Sequence, residues 1–366
     1  MITFAQALEE TANCKRYLLL GNGFSISLFP KCFSYYSLFN AAKEKGLFDD
    51  HSPLGDAFEA LKSTDFELVM EALKAASALA PLYGYDASLM NVHAEKLKNI
   101  LVDAVAGNHP SRPSDITSEQ YKNCRAFLAQ FIGMPRGKLA GKIFTLNYDL
   151  LLYWAILHDE FDFEWATGQA TKDYSQILNN DDGFRSPEDD VDASYVAWDQ
   201  FSAANKSQSI TFLHGALHLY ERGPEIAKLC WERSGNQPLM DQIKQSLDDD
   251  RYPLFVSESS TDEKMEKINK SAYLSKGLRS FQGCCDTKGG SLFIIGHSLA
   301  PNDEHVLRRI QNGKIERLYI SIFGDPNSQG NLAIRSKAEG ISNARPDGYT
   351  LSVTLIDAST IHIWNH

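Results

Sequence analysis

The chain has 366 residues, of which 43% are hydrophobic and 11% aromatic, enough apolar surface to bury a large core. This composition excludes a disordered or fibrous protein, and the formal net charge of −11 argues against a surface that tracks nucleic-acid phosphates. No apolar run reaches the roughly 18 residues that a membrane-spanning helix needs, so we expect a cytoplasmic protein.

The cysteines do not indicate a metal site. None of the six stands in a C-x-x-C spacing, and Cys284 and Cys285 are adjacent. Zinc sites and disulfide frameworks use regular cysteine spacings. We therefore expect reduced thiols and no bound metal.

The first strand-like segment is the apolar run Arg16–Leu20, which ends at Gly21-Asn22-Gly23. This pattern is typical of a buried parallel strand that leaves its sheet through a glycine turn. Glycines let the backbone approach a diphosphate, and a following helix offers unpaired N–H groups. The segment does not complete the fingerprint G-x-G-x-x-G, which disfavours an ordinary dehydrogenase.

From about residue 35 to residue 134 the hydrophobic pattern is helical. Thr64-x-x-Glu67 matches a capping box, and Phe66 and Val69 begin an apolar face. The sequence therefore predicts a helical insertion or subdomain over 35–134, after the first strand of one domain that spans residues 1–366. Amphipathicity alone does not distinguish an oligomer interface from a cover for the sheet.

Strand-like segments recur later in the chain, and several alternate with helical patterns. They are 142–145, 209–213, 253–257, 291–295, 317–323 and 350–356. The alternation predicts an α/β fold, with a Rossmann-like, mostly parallel sheet and helices on both faces. The acidic, turn-rich segment 179–192 is predicted to be a solvated surface loop, with a lid over the site as the alternative.

Polar residues that directly follow strands are the candidate site, because open parallel sheets bind ligands beyond the carboxyl ends of their strands. Asn147 and Asp149 follow the segment 142–145 at a spacing of two, so both side chains should point toward the crevice. Asn can orient a ribose hydroxyl or a water, and Asp can accept a carboxamide N–H or stabilise positive charge. Asp149 is equally placed to cap the next helix.

Three further strand ends carry polar groups. His214 follows the run 210–213 and could act as a base toward a ribose hydroxyl or a water. Ser298 and the backbone amides of its neighbours could bind ribose or phosphate oxygens. Asp325 could face an adenosine ribose, although its Gly-Asp-Pro context is also an ordinary turn.

Taken in order, these segments resemble the glycine motif, the T-x-N-x-D motif, the His-Gly and the Gly-x-Ser of the sirtuin family. They read GNGFS at 21–25, TLNYD at 145–149, HG at 214–215 and GHSL at 296–299. The chain looks more specifically like the bacterial sirtuin-like proteins of anti-phage defence, including DFE at 65–67 and DEH at 303–305.

The resemblance implies a catalytic pair, Asn147 and His214, with Asp149 holding the nicotinamide end of NAD. NAD is then a substrate, and no metal is needed. The positions expected to bind it are Gly21, Asn22, Gly23, Phe24, Ser25, Thr145, Gly296, His297, Ser298 and Asp325.

The activity that the resemblance implies is NAD hydrolysis to nicotinamide and ADP-ribose. Sirtuin deacylases carry two C-x-x-C pairs in a zinc module, and this sequence has none, which disfavours protein deacylation. Nicotinamide leaves a cationic ring as a neutral molecule, so the site needs only to stabilise an oxocarbenium-like state and position a water. The chain would be an anti-phage effector that depletes NAD.

Such an effector would be regulated as a homo-oligomer or by a co-encoded sensor or ATPase. The alternatives are an ADP-ribosyl transferase or deacylase that uses the same pocket, and a non-catalytic sensor of NAD or ADP-ribose. A nuclease is disfavoured, because the sequence has no group of closely spaced carboxylates for two metals.

Overall fold

A computed structural model describes residues 1–48, 53–158, 178–185, 195–199, 208–222, 225–230, 237–249, 251–257 and 260–365. The strands among these residues are β1 (Arg16–Leu20), β2 (Ile143–Thr145), β3 (Phe184–Arg185), β4 (Tyr195–Trp198), β5 (Ile210–Phe212), β6 (Leu219–Arg222), β7 (Glu225–Leu229), β8 (Ser291–Ile295), β9 (Arg317–Ile322) and β10 (Ser352–Asp357).

The α-helices of the same residues are α1 (Phe4–Glu10), α2 (Gly23–Ile26), α3 (Pro30–Phe33), α4 (Tyr35–Glu44), α5 (Leu54–Ala60), α6 (Phe66–Leu79), α7 (Ser88–Asn108), α8 (Ser118–Ile132), α9 (Leu151–Leu157), α10 (Leu239–Asp248), α11 (Thr261–Lys270), α12 (Ala272–Cys285), α13 (Glu304–Gln311) and α14 (Gln329–Asn343). Within the described ranges, no helix is both long enough and apolar enough to cross a membrane.

A six-stranded sheet organises the fold, in the order β10-β9-β8-β1-β2-β5, and every neighbouring pair is parallel. All residues of β1 and β8 are buried, as continuous apolar runs predict for parallel strands that are covered on both faces. The prediction of an α/β fold with a mostly parallel sheet is confirmed.

Helices cover both faces of this sheet. On one face, Phe293 of β8 packs against Phe4 of α1 and Phe131 of α8, at ring-centroid distances of 6.2 and 5.3 Å. On the other face, Phe144 of β2 packs against Phe281 of α12 at 5.0 Å. The register pairs Phe293 and Phe144 with consecutive residues of β1, which point to opposite faces.

The predicted helical insertion is also confirmed, because α2 to α8 all lie between β1 and β2. The predicted capping box at Thr64 is wrong by one residue. Helix α6 begins at Phe66, and Asp65 is its N-cap, with its carboxylate accepting the N–H groups of Glu67 at 3.0 Å and Leu68 at 3.4 Å. A carboxylate at this position satisfies two N–H groups that would otherwise lack partners.

A second, four-stranded antiparallel sheet, in the order β3-β4-β7-β6, was not predicted. Its strands are two to five residues long, too short for a clear alternation of apolar and polar positions. The predicted strand at 253–257 is wrong. That segment forms a single bridge, between Gly215 and Phe255, and its backbone bonds mainly to the turn after β5. The N–H of Val256 donates to the His214 carbonyl at 2.8 Å, and the Leu254 carbonyl accepts the N–H of Ala216 at 3.0 Å.

The prediction of a solvated loop over 179–192 is wrong for its first part. The Asp182 carboxylate is buried and pairs with the buried Lys228 ammonium of β7 at 2.5 Å. Residues 184 and 185 form β3. Residues 186–192, and with them the rest of the proposed lid, lie outside the described residues.

Candidate functional site

The sheet contains a topological switch point between β1 and β8. From β1 the chain adds β2 and β5 on one side, and then returns to place β8, β9 and β10 on the other side. Open α/β sheets bind ligands at the carboxyl edge where the strand order reverses in this way. A cleft of about 370 Å³ opens there, and residues that follow β1, β2, β5 and β8 line it.

Two glycine loops pack against each other at this point. The N–H of Gly23 donates to the carbonyl of Gly296 at 2.8 Å, and Gly296 has a φ of +69°. A Cβ atom on Gly23 would lie 2.5 Å from the Gly296 Cα, and one on Gly21 would lie 2.6 Å from the Gly296 carbonyl oxygen. The close approach of the two loops that follow β1 and β8 therefore requires these glycines, whatever ligand the cleft binds.

The glycine turn offers fewer free donors than the sequence predicted. Helix α2 is a single turn, and the N–H groups of Phe24 and Ser25 donate to the carbonyls of Gly21 and Asn22 at 3.0 Å each. The Asn22 side chain lines the cleft and donates to the carbonyl of Phe33 at 2.9 Å. The turn is thus held mainly by its own hydrogen bonds.

Asn147 and Asp149 meet at the hydroxyl of Ser25. Asn147 Nδ2 donates to Ser25 Oγ at 2.9 Å, and Ser25 Oγ donates to Asp149 Oδ2 at 2.6 Å. Because Nδ2 is held in this way, Oδ1 is the end of the Asn147 amide that can accept a hydrogen bond from a ligand. Thr145 Oγ1 accepts the backbone N–H of Asn147 at 3.1 Å and fixes the turn.

Asp149 fulfils both functions that the sequence allowed. Its Oδ1 accepts the N–H of Leu151, in the first turn of α9, at 2.9 Å, while its other oxygen faces Ser25. Burial raises the pKa of Asp149, although the hydrogen bonds from Ser25 and Leu151 oppose this rise. The carboxylate lines the cleft together with Asn147.

One ring nitrogen of His214 is engaged by a second buried histidine. Its Nε2 lies 3.0 Å from Nε2 of His305 and 3.8 Å from Oδ1 of Asp303. Because Nε2 is engaged, Nδ1 is the ring nitrogen that remains for a ligand in the cleft. Burial lowers the pKa of His214 well below its ordinary value, so its imidazole is neutral at pH 7 despite the nearby carboxylate.

Asp303 connects the histidines to a buried lysine. Its Oδ2 accepts the Nε2–H of His297 at 2.9 Å, and its Oδ1 lies 3.0 Å from the Lys264 ammonium. Burial raises the pKa of Asp303, but the His297 hydrogen bond and the Lys264 charge outweigh it and hold the pKa well below its ordinary value. Both ring nitrogens of His297 are engaged, because Nδ1 accepts the N–H of Leu299 at 3.0 Å.

Lys264 joins this cluster to the helical insertion. Its ammonium also lies 2.9 Å from Oε2 of Glu67, and the lysine side chain is only 1% exposed. Burial raises the pKa of Glu67 to about 7, the Lys264 charge lowers it, and the Asp303 charge adds to the rise. The Asn302 amide donates to the same Glu67 oxygen.

With this geometry in place, comparison with known proteins identifies the family. A family model described as "Domain of unknown function (DUF4917)" matches residues 18–364. The chain belongs to the DUF4917 family. No curated protein sequence matches the chain.

The DUF4917 match covers the insertion, the cleft and the sheet from Leu18 of β1 onward. Six of the predicted NAD-binding positions and all three predicted catalytic residues line that cleft. These are Gly21, Asn22, Gly23, Gly296, His297 and Ser298, with Asn147, Asp149 and His214.

Four predicted positions do not line the DUF4917 cleft. Ser25 and Thr145 are buried behind it and hold Asn147 and Asp149. Phe24 belongs to the core, where its ring lies 5.1 Å from that of Trp364, whose Nε1 donates to the Phe24 carbonyl at 3.0 Å. Asp325 lies on an exposed turn after β9, with its carboxylate accepting the N–H of Asn327 at 2.9 Å.

The sequence interpretation assigned no role to Glu67, Lys264, Asp303 or His305. Glu67, Asp303 and His305 belong to the segments DFE and DEH, which contribute to the resemblance to the sirtuin-like defence proteins. Nothing in the local sequence marks Lys264, which looks like an exposed lysine on a polar helix. The insertion also supplies most of an apolar wall of the cleft, through Leu38, Phe66, Leu101 and Val105, and Ile26 and Phe33 complete this wall.

Proposed function

We propose that this DUF4917 protein is a sirtuin-like NAD glycohydrolase that releases nicotinamide and ADP-ribose. The observation that carries the proposal is the convergence of Asn147, Asp149 and His214 in one cleft at the switch point of a parallel sheet. Dinucleotides bind at such points in related architectures. A volume of about 370 Å³ lies within the range of small-ligand pockets.

The chemistry of the cleft suits loss of a neutral leaving group. Cleavage of the nicotinamide–ribose bond develops positive charge on the ribose, which the Asp149 carboxylate can stabilise. The free amide oxygen of Asn147 can orient a ribose hydroxyl or the attacking water. His214 is neutral, and its Nδ1 can take the proton of that water as the new C–O bond forms. The apolar wall of the cleft can pack against a flat ring.

A non-catalytic sensor of NAD or ADP-ribose is the second candidate. Binding alone would be served by the glycine loops and the apolar wall. A sensor has no need of a buried, neutral His214 whose Nε2 is held by His305. Transfer of ADP-ribose or an acyl group in the same pocket would require an acceptor in place of water.

The biological part of the proposal is a cytoplasmic anti-phage effector that depletes NAD, controlled by a co-encoded sensor or ATPase. It rests on the resemblance to the bacterial sirtuin-like defence proteins. The substrate is NAD, and no metal takes part.

We also propose that the effector is a homo-oligomer whose contact is the tip of the α6–α7 hairpin. At this tip Leu82, Tyr83 and Tyr85 are 79%, 76% and 72% exposed. Residues 79–92 contain a single charged residue, Asp86. Copies of a chain with a net charge of −11 repel each other overall, and this apolar tip, with its single charged residue, is a surface where that repulsion is weak and a second copy can approach.

The test is incubation of the purified protein with NAD, alone and with candidate partners, while nicotinamide and ADP-ribose are separated by chromatography. We expect release that is lost in Asn147→Ala and His214→Ala. Asp325→Ala, on the exposed turn outside the cleft, is the control and should retain it. Tight NAD binding without release under every condition would replace the hydrolase with the sensor.

A further inference from the structure

The contact between His214 and His305 is not explained by substrate binding, because His305 does not line the cleft. Both rings are buried, and their Nε2 atoms are 3.0 Å apart. The ring centroids are 5.1 Å apart and the ring planes differ by 21°, so the two nitrogens lie close to the line that joins the rings. This is the arrangement of a direct N–H···N hydrogen bond.

We infer that His305 is a positioning residue that holds His214 as its Nε2–H tautomer and leaves the Nδ1 lone pair facing the cleft. This inference deepens the proposed function and rests on it. A base that is oriented by a partner on its far nitrogen is the arrangement that hydrolases use to aim an imidazole.

Asp303 decides which histidine carries the shared proton. Its Oδ1 lies 3.8 Å from Nε2 of His214. Nε2 of His305 is farther away and forms no ion pair with the Asp303 carboxylate. A carboxylate favours a nearby N–H and disfavours a nearby lone pair, so the proton is expected on Nε2 of His214. When His214 accepts a proton at Nδ1, the same carboxylate stabilises the imidazolium.

In this arrangement His305 is left with an N–H group that has no hydrogen-bond partner among the described residues. With Nε2 as the acceptor, its proton is on Nδ1, which is buried. A buried polar group without a partner calls for an explanation, and a catalytic role is one such explanation. Burial lowers the pKa of His305 to about 4, which keeps it neutral and able to accept.

A metal ion bound by His214, Asp303 and His305 is the rival explanation, since their ligand atoms all lie within 4.8 Å of one another. Two contacts argue against it. The Lys264 ammonium occupies the same Asp303 oxygen at 3.0 Å, and His297 holds the other oxygen. The two imidazole nitrogens also point at each other, whereas metal ligands converge on a third point.

The first test is kinetic. His305→Gln offers an amide oxygen as acceptor, and His305→Leu offers none. We expect the leucine variant to lose about 100-fold in kcat with KM for NAD unchanged, and the glutamine variant to recover most of the loss. His218→Leu removes a buried histidine that does not line the cleft and is the matched control. Equal kcat in wild type and His305→Leu would refute the inference.

The second test needs no turnover. In protein labelled with ¹⁵N-histidine, the ¹⁵N chemical shifts of the His214 ring report its tautomer. The signals of His214 are those that disappear in His214→Asn. We expect a protonated Nε2 and a bare Nδ1, and a protonated Nδ1 would overturn the inference. If His214 has the expected tautomer but NAD is not cleaved, the proposed function fails and the positioning role stands. Stoichiometric Zn²⁺ binding by wild type that is lost in His305→Gln would establish the metal site instead.

Discussion

Replacing Lys264 should destabilise the protein far more than replacing another lysine of the same helix. Both Glu67 Oε2 and Asp303 Oδ1 lie within 3.0 Å of the Lys264 ammonium. The two oxygens are therefore at most about 6 Å apart, and without the lysine they repel by about 3 kcal/mol at an effective dielectric constant of about 20. Removing one member of a buried ion pair costs about 3–5 kcal/mol, and we expect Lys264→Met to reach that range.

The assay is urea unfolding at pH 7.5, followed by circular dichroism, in a double-mutant cycle. Adding Glu67→Gln to Lys264→Met removes the repulsion and should restore about 2–3 kcal/mol. Lys270→Met is the matched control, because Lys270 and its partner Glu266 are 71% and 67% exposed and such pairs contribute about 0–1 kcal/mol. A cost below about 1 kcal/mol for Lys264→Met, or no recovery in the double variant, would refute the reasoning.

The pH dependence of the same cluster has a definite sign. Burial raises the pKa of Glu67 from 4.5 to about 7 in the folded chain, so the folded state binds the proton more tightly than the unfolded state. The stability that this protonation contributes is complete below pH 4.5 and is lost as the pH rises to about 7. Wild type should therefore lose stability across this window relative to Glu67→Gln, and parallel curves for the two proteins would contradict the assignment.

Three further outcomes follow from the structure. Gly296→Ala should lower the free energy of unfolding by at least about 1–2 kcal/mol and weaken NAD binding, because φ is +69° and the new Cβ would lie 2.6 Å from the Gly23 Cα. Gly283 lies in open space on α12, so Gly283→Ala is the control and should not destabilise the chain. Asp149→Asn should reduce nicotinamide release about 100-fold with little change in unfolding temperature, since the amide keeps an acceptor for α9. Leu82→Glu should lower the sedimentation coefficient of the oligomer, and an unchanged coefficient would exclude the hairpin tip as its contact.

The sequence predicted the parts of the site that follow directly from strand ends. Glycines 21, 23 and 296, Asn147 and His214 come together because parallel strands place all their carboxyl ends at one edge. For this reason a local pattern of apolar run followed by polar residue was enough. Predicting these positions did not require knowing the length or the path of the intervening helices.

The same reasoning failed where a side chain's direction depends on a helix. Phe24 stands next to a lining glycine, but α2 turns the chain by about 100° per residue, so consecutive side chains cannot all face the cleft. Phe24 therefore packs on Trp364 near the carboxyl end of the chain. Likewise, Glu67 and Lys264 are 197 residues apart, and their pairing depends on how α6 and α11 pack. No local pattern encodes such a contact.

These contacts also change the interpretation of the insertion. Helices α2, α3, α4, α6 and α7 supply the apolar wall of the cleft, and Glu67 of α6 is bonded through Lys264 to the carboxylate that faces His214. Deleting residues 35–134 would remove most of the wall and this ionic connection, so a loss of activity would say nothing about an interface role. Substitutions at the hairpin tip leave the wall and Lys264 intact, and Lys264→Met leaves the tip intact. The two sets of variants therefore separate assembly from the support of His214, which deletion of the insertion cannot do.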